Sequence, residues 1–135
     1  MRILTLFIAL SIGFAAPAFA EDDVVAAQNI IRGQVTALER DDAAAAYGYA
    51  APMIRRMFPN PESFMGMVRN GYAPVYRHKS FEFGEGRAED GKVMQKAQIV
   101  DAEGTAWDAL YTVERQSDGS LKITGCMLIK AGQAV

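Results

Sequence analysis

KVMQKAQIVDAEGTAWDALYTVERQSDGSLKITGCMLIK, residues 92–130, decides the fold. It holds three runs of strand-forming residues, KVMQKAQIVD (92–101), TAWDALYTVER (105–115) and SLKITGCMLIK (120–130). They are joined through DAEGT and QSDGS, and an earlier run, SFEFGE (80–85), joins the first through EDGK. Each connection combines Asp or Glu with Gly, as tight turns require. Strands joined by loops this short are antiparallel neighbours. The stretch therefore reads as the greater part of a four-stranded meander.

Alternation assigns the faces. In the third strand Trp107, Ala109, Tyr111 and Val113 share one side, opposite Asp108, Leu110, Thr112 and Glu114. In the fourth, Leu121, Ile123, Gly125, Met127 and Ile129 oppose Lys122, Thr124, Cys126, Leu128 and Lys130. The first set is the more apolar in each case and is expected to face the core. The second strand is ambiguous between the Val93, Gln95, Ala97, Ile99 set and the Met94, Lys96, Gln98, Val100 set.

Upstream the period changes to that of helices. Val24, Ala27, Ile31, Val35 and Leu38 recur at spacings of three and four. Asp22 or Asp23 is a candidate cap for this helix, and Asp41 or Asp42 for a second one, AAAAYGYA. Pro52 either stops that helix or opens a short third turn through MIRRMF. In NPESFMGMVRNGY, Asn60 is placed as N-cap, Pro61 as the first helical residue and Glu62 at the positive end of the dipole. Gly71 is expected at a left-handed C′ position, with Tyr72 packing on Met67. Helices followed by a meander predict an α+β domain, its helices packed on one face of a curved four-stranded antiparallel sheet.

The first twenty residues read as a leader. MRILTLFIALSIGFAAPAFA has one basic residue, Arg2, then an apolar run, then Ala18-Phe19-Ala20, a small-x-small cleavage pattern. The apolar run is shorter than the roughly 20 residues that span a bilayer. Cleavage after Ala20 predicts a periplasmic or secreted protein with no stable membrane insertion, in which residues 21–135 form a single domain. Removing Arg2 from 14 basic residues against 16 acidic ones leaves a net charge of −3. That balance argues against a nucleic-acid partner. One cysteine, Cys126, allows no intramolecular disulfide, and one histidine, His78, gives no zinc cluster. Neither a metal nor a cofactor is expected.

Two stretches carry a resemblance. YAAPMIRRMFPNPESFMGMVRNGYAPVYR (49–77) and DGSLKITGCMLIK (118–130) resemble a family of small exported bacterial proteins known only as a domain of unknown function. Members of that family carry Trp at the position of Leu121, an exchange expected to alter packing more than role. The order of elements is similar to the nuclear-transport-factor-2-like cone. That likeness implies a cone-shaped sheet and a possible homodimer through the open sheet face, where Leu110, Cys126 and Leu128 are expected outward.

Candidate pocket residues are Tyr47, Tyr72, Tyr76, Trp107, Tyr111 and Met127. Aromatics with a polar tip suit an apolar pocket, but the same residues also serve as core. Arg55, Arg56, Arg69 and Arg77 form a candidate dock for an anion or a partner, or else a solvated face balanced by EDD and ERDD. No catalytic residue is assigned. Asp108 is expected to point away from the core, and His78 sits among like charges in RHKS, read as solvated surface. The expected function is a binding or accessory module with a pocket for a small apolar or amphipathic ligand. The alternative is a lyase or isomerase acting on a small carbonyl compound, using Tyr with Asp or His.

Overall fold

The computed structural model describes residues 18–133. Among these, five helices come first: α1 (Ala18–Glu39), α2 (Ala43–Gly48), α3 (Pro52–Met57), α4 (Pro61–Gly71) and α5 (Ala73–Tyr76). Four strands follow: β1 (His78–Glu89), β2 (Lys92–Asp101), β3 (Ala106–Arg115) and β4 (Leu121–Lys130). They make one open antiparallel sheet in the order β1-β2-β3-β4. The protein is thus α+β, with helices preceding a four-stranded meander. The expected leader lies outside the described residues except for Ala18–Ala20, where α1 begins.

The turns follow from their glycines. Asp90 and Gly91 both have positive φ, 50° and 75°, as a two-residue hairpin of the primed type requires. Gly104 and Gly119 take φ 86° in the two longer hairpins, which are closed by Asp101 N–H to Thr105 O and Gln116 N–H to Ser120 O.

The core lies between the sheet's inner face and α1 and α4. Val93, Gln95, Ala97 and Ile99 of β2 are buried, which settles the ambiguous strand in favour of that set. Ala109, Tyr111 and Val113 of β3 join them as expected. From the helices come Ala27, Ile31, Val35 and Leu38, the predicted stripe of α1, with Phe64, Met65 and Val68 of α4. Asn60 caps α4 by accepting from Ser63 N–H at 2.8 Å, and Asp42 caps α2 by accepting from Ala45 N–H at 3.1 Å.

Several expectations are corrected. Gly71 is the last residue of α4, and Tyr72, at φ −133°, separates it from α5. Asp22 and Asp23 lie inside α1, where Asp23 pairs with Arg115 at 2.8 Å. The largest correction is in β4. Thr112 pairs with Gly125 and Val113 with Ile123, so Thr124 is an extra residue in the ladder. One inserted residue reverses the faces beyond it. Leu121 and Ile123 face the core as expected, but past Thr124 it is Cys126 and Leu128 that pair with Tyr111 and Ala109 and pack inward. Met127 is on the outer face and 55% exposed. Of the three residues expected outward for a homodimer, only Leu110 remains there.

A second bulge lies in β1. Phe83 pairs with Ala97 and Gly86 with Gln95, so Gly84 and Glu85 both stand opposite Lys96. The buried Gln95 side chain fills this kink. Its Nε2 donates towards the carbonyls of Lys96 (2.8 Å), Gly84 (3.0 Å) and Glu85 (3.3 Å), while its Oε1 accepts from Gln28 Nε2 at 3.1 Å. Gly86 leaves the room for it, since a Cβ there would run into Gln95 Oε1 and Val24 Cγ1.

Asp101 organises the β2–β3 turn. Its carboxylate accepts from Trp107 Nε1 at 2.9 Å and from the N–H groups of Thr105 (2.8 Å) and Glu103 (3.0 Å). The indole bond first, then the backbone bonds, hold its pKa below the ordinary value. A folded-state pKa below the unfolded one stabilises the fold above the unfolded value, and the gain is lost as pH falls through the folded value. Wild type is expected to lose more stability than Asp101→Asn between neutral pH and about pH 3. Urea melts at both pH values measure this, and equal losses in the two proteins would refute it.

Candidate functional site

A cleft of about 390 Å³ opens between α3, α4 and the inner face of β3 and β4. Its position follows from how α3 is held. Tyr49–Ala51 run parallel to β4, with Ile123 N–H donating to Tyr49 O at 2.9 Å and Ala51 N–H donating to Ile123 O at 2.8 Å. Tyr47 Oη lies 2.6 Å from the Phe58 carbonyl and ties α2 to the far end of α3. Pro52 then starts α3, and Met53 and Met57, four apart, share the face that borders the cleft.

The walls are apolar. Ile54, Phe58, Phe64, Met67 and Val68 form the helical side, with Leu38 and Val75 behind them. Met53 and Met57 are 49% and 69% exposed and stand at the mouth. The lining includes no Asp, Glu, His, Lys or Arg. Its polar groups are Gln34, Thr124, Tyr72, Tyr111 and Cys126. Gln34 donates to Ala46 O at 3.2 Å, and Tyr72 Oη donates to Cys126 O at 2.9 Å.

Tyr111 is different. It is 1% exposed, and its hydroxyl has no hydrogen-bond partner among the described residues. The Cys126 thiol, on the cross-strand neighbour, is close enough to perturb the titration of this hydroxyl but does not stand in hydrogen-bond geometry with it. Burial raises the Tyr111 pKa well above the ordinary tyrosine value and pushes the Cys126 thiol up to about 12. Both are therefore neutral at physiological pH, and the thiol lacks the thiolate character of a reactive cysteine. An unpartnered buried hydroxyl costs about 1–3 kcal/mol. Tyr111→Phe is accordingly expected to stabilise the protein by about 1 kcal/mol in urea melts. A loss of that size would show that the hydroxyl is bonded in solution.

The six sequence-derived pocket candidates separate. Tyr72 and Tyr111 line the cleft. Tyr47 supports it from behind through Phe58. Tyr76 donates to Asp41 in a surface cluster where Arg77 and Arg69 also meet that carboxylate, at 3.0 and 3.6 Å. Trp107 is committed to Asp101 at the β2–β3 turn, and Met127 is on the outer face. Tyr76, Trp107 and Met127, expected as pocket residues, thus do not line the cleft.

The arginines form no single free surface. Arg69 and Arg77 converge on Asp41, whose pKa is lowered by the Tyr76 hydrogen bond first and then by these guanidinium groups. Arg56 is exposed on α3, whereas Arg55 is half-buried, with its guanidinium 5.9 Å from the Tyr47 ring centre. Asp108 is exposed, as expected. His78 is not solvated surface: its Nε2 lies 3.0 Å from Glu39 Oε1 and its Nδ1 2.9 Å from Val75 O.

Sequence reading missed Met53, Met57, Gln34 and Cys126 as lining residues. The two methionines four apart in MIRRM were the available signal. For Cys126 it was Gly125, since a glycine inside a strand often marks a bulge.

Comparison with curated proteins finds no match, and comparison with solved structures finds none either. A family profile does match, over residues 18–134, which include every element of the cleft described above. The chain belongs to that family, described as Domain of unknown function (DUF4864).

Proposed function

We propose that this protein is an exported binding or accessory module whose cleft holds a small apolar or amphipathic molecule. The observation that carries this reading is the uncharged, apolar lining of an open cleft of about 390 Å³. Pockets of that size and character suit small ligands. The methionines at its mouth are unbranched and adapt to varied shapes. The isomerase reading finds no support here, because no carboxylate or imidazole lines the cleft to act as base. Kinship with the nuclear-transport-factor-2-like cone belongs to the same proposal and rests on the order of helices and strands. Export rests on the Ala18-Phe19-Ala20 pattern.

Nile red, an uncharged dye that brightens in apolar surroundings, provides the test. It is expected to bind the purified protein at one site and to lose that binding in Met67→Lys, which places an ammonium in the cleft wall. A thermal melt of the variant checks that it folds. Absence of dye binding to wild type, or equal binding to a folded Met67→Lys protein, would refute the proposal.

A further inference from the structure

The polarity of the cleft floor narrows the kind of molecule that fits. Tyr111 presents a phenol that is 1% exposed and unpartnered among the described residues, in a cleft whose other lining groups are largely apolar. A phenol donates a hydrogen bond more readily than it accepts one, so its missing partner is an acceptor. The hydroxyl is covered by its neighbours, but Cys126, the cross-strand partner of Tyr111, is small, and the cleft lining includes Met67, an unbranched side chain that adapts to irregular gaps. The other polar groups offer less. Tyr72 and Gln34 already donate to backbone carbonyls, the Thr124 hydroxyl is bonded to Thr112, and the thiol is a weak donor.

Charge decides between acceptors. A carboxylate or phosphate entering the cleft would shed its hydration and meet no cation, because no lysine, arginine or histidine lines it. A ketone, ester or ether loses far less. We infer that the cleft takes an uncharged molecule with an apolar body and one hydrogen-bond acceptor at its leading end, received by the Tyr111 hydroxyl. This inference rests on the reading of the cleft as a binding site. It adds the chemical class of the ligand and the residue that selects it.

Butyrophenone and butylbenzene differ by a carbonyl in place of a methylene, and phenylbutyrate carries a charge on a similar frame. Their affinities for wild type and Tyr111→Phe are measured by calorimetry or by displacement of Nile red. Tyr111→Phe is expected to weaken butyrophenone roughly three- to tenfold, the worth of one hydrogen bond, and to leave butylbenzene within about twofold. Phenylbutyrate is expected to bind wild type more weakly than butyrophenone. On wild type alone, the carbonyl stretch of bound butyrophenone should fall below its value in an alkane solvent, which keeps the test independent of how the variant folds.

Equal effects of Tyr111→Phe on the ketone and the hydrocarbon, or an unshifted carbonyl stretch, would overturn the acceptor assignment while the apolar cleft stands. Phenylbutyrate binding as tightly as butyrophenone would overturn the requirement for an uncharged ligand. If none of the three binds wild type, the reading of the cleft as a binding site falls, and this inference with it.

Discussion

Phe64→Ala is expected to cost about 3–5 kcal/mol, the range for an emptied aromatic core site. Phe64 is 4% exposed and packs edge-on or tilted against two other rings, Phe58 at 6.2 Å and Tyr47 at 5.8 Å. It sits at the end of the first turn of α4 and also forms part of the cleft wall. Truncation therefore does two things. It removes ring contacts that hold α4 to the ends of α2 and α3, and it opens space continuous with the cleft. The surface residue Arg69, five positions on in α4, is the control. Its guanidinium lies in an exposed cluster with Asp41 and Tyr76, so Arg69→Ala is expected to stay near ±0.5 kcal/mol. Urea melts of the two variants compare them directly. A similar loss in both would mean that α4 is held by its polar face rather than by its apolar one.

Gln95→Leu is the second large effect, expected to destabilise by about 3 kcal/mol or more. Leucine has a similar bulk and suits a buried strand position, so a simple hydrophobicity rule would predict little change. The bulge makes the difference. Gln95 Nε2 donates its two hydrogens among three carbonyls at the kink, those of Gly84 and Glu85 in β1 and Lys96 in β2, and its Oε1 receives Gln28 from α1. Leucine keeps the volume and loses all of these bonds, leaving Gln28 without this acceptor. Gln95→Glu is informative beside it: the carboxylate keeps an acceptor for Gln28 but has no N–H for the carbonyls. If Gln95→Leu melts within about 1 kcal/mol of wild type, the carbonyls of the bulge are satisfied by water and the side chain is only a filler.

The strands and turns were legible because their signals are local. Asp90-Gly91, Gly104 and Gly119 announce hairpins from the residues that must take positive φ. The stripe of α1 and the Asn60 cap of α4 are equally local, and both appear where the sequence places them. The cleft was only half legible, for reasons that concern distant residues. Alternation presumes an unbroken pleat, and the extra Thr124 reverses the outer part of β4, turning Cys126 into the cleft and Met127 out of it. A balance of the arginines by ERDD was one of the two sequence readings, and Arg69 and Arg77 do meet Asp41; that Tyr76 joins them was not legible, because Asp41 lies 35 residues before it. Trp107 looked like a pocket wall because its ring is large, while its N–H was committed to Asp101.

The short parallel pairing of Tyr49–Ala51 with Ile123 also bears on what the protein avoids. An open sheet has two margins whose bare backbone invites strands from other molecules, the first step of edge-to-edge aggregation. At the β4 margin, Tyr49 and Ala51 occupy both backbone groups of Ile123, and the Tyr72 hydroxyl takes the carbonyl of Cys126. At the β1 margin the protection is of another kind: two register shifts break the strand's regularity, and Lys79, Glu82, Glu85, Arg87 and Glu89 are exposed along it. The segment that sets α3 over the cleft thus doubles as a guard strand. Loosening it would both unseat the cleft wall and leave β4 open to recruitment by a neighbouring chain.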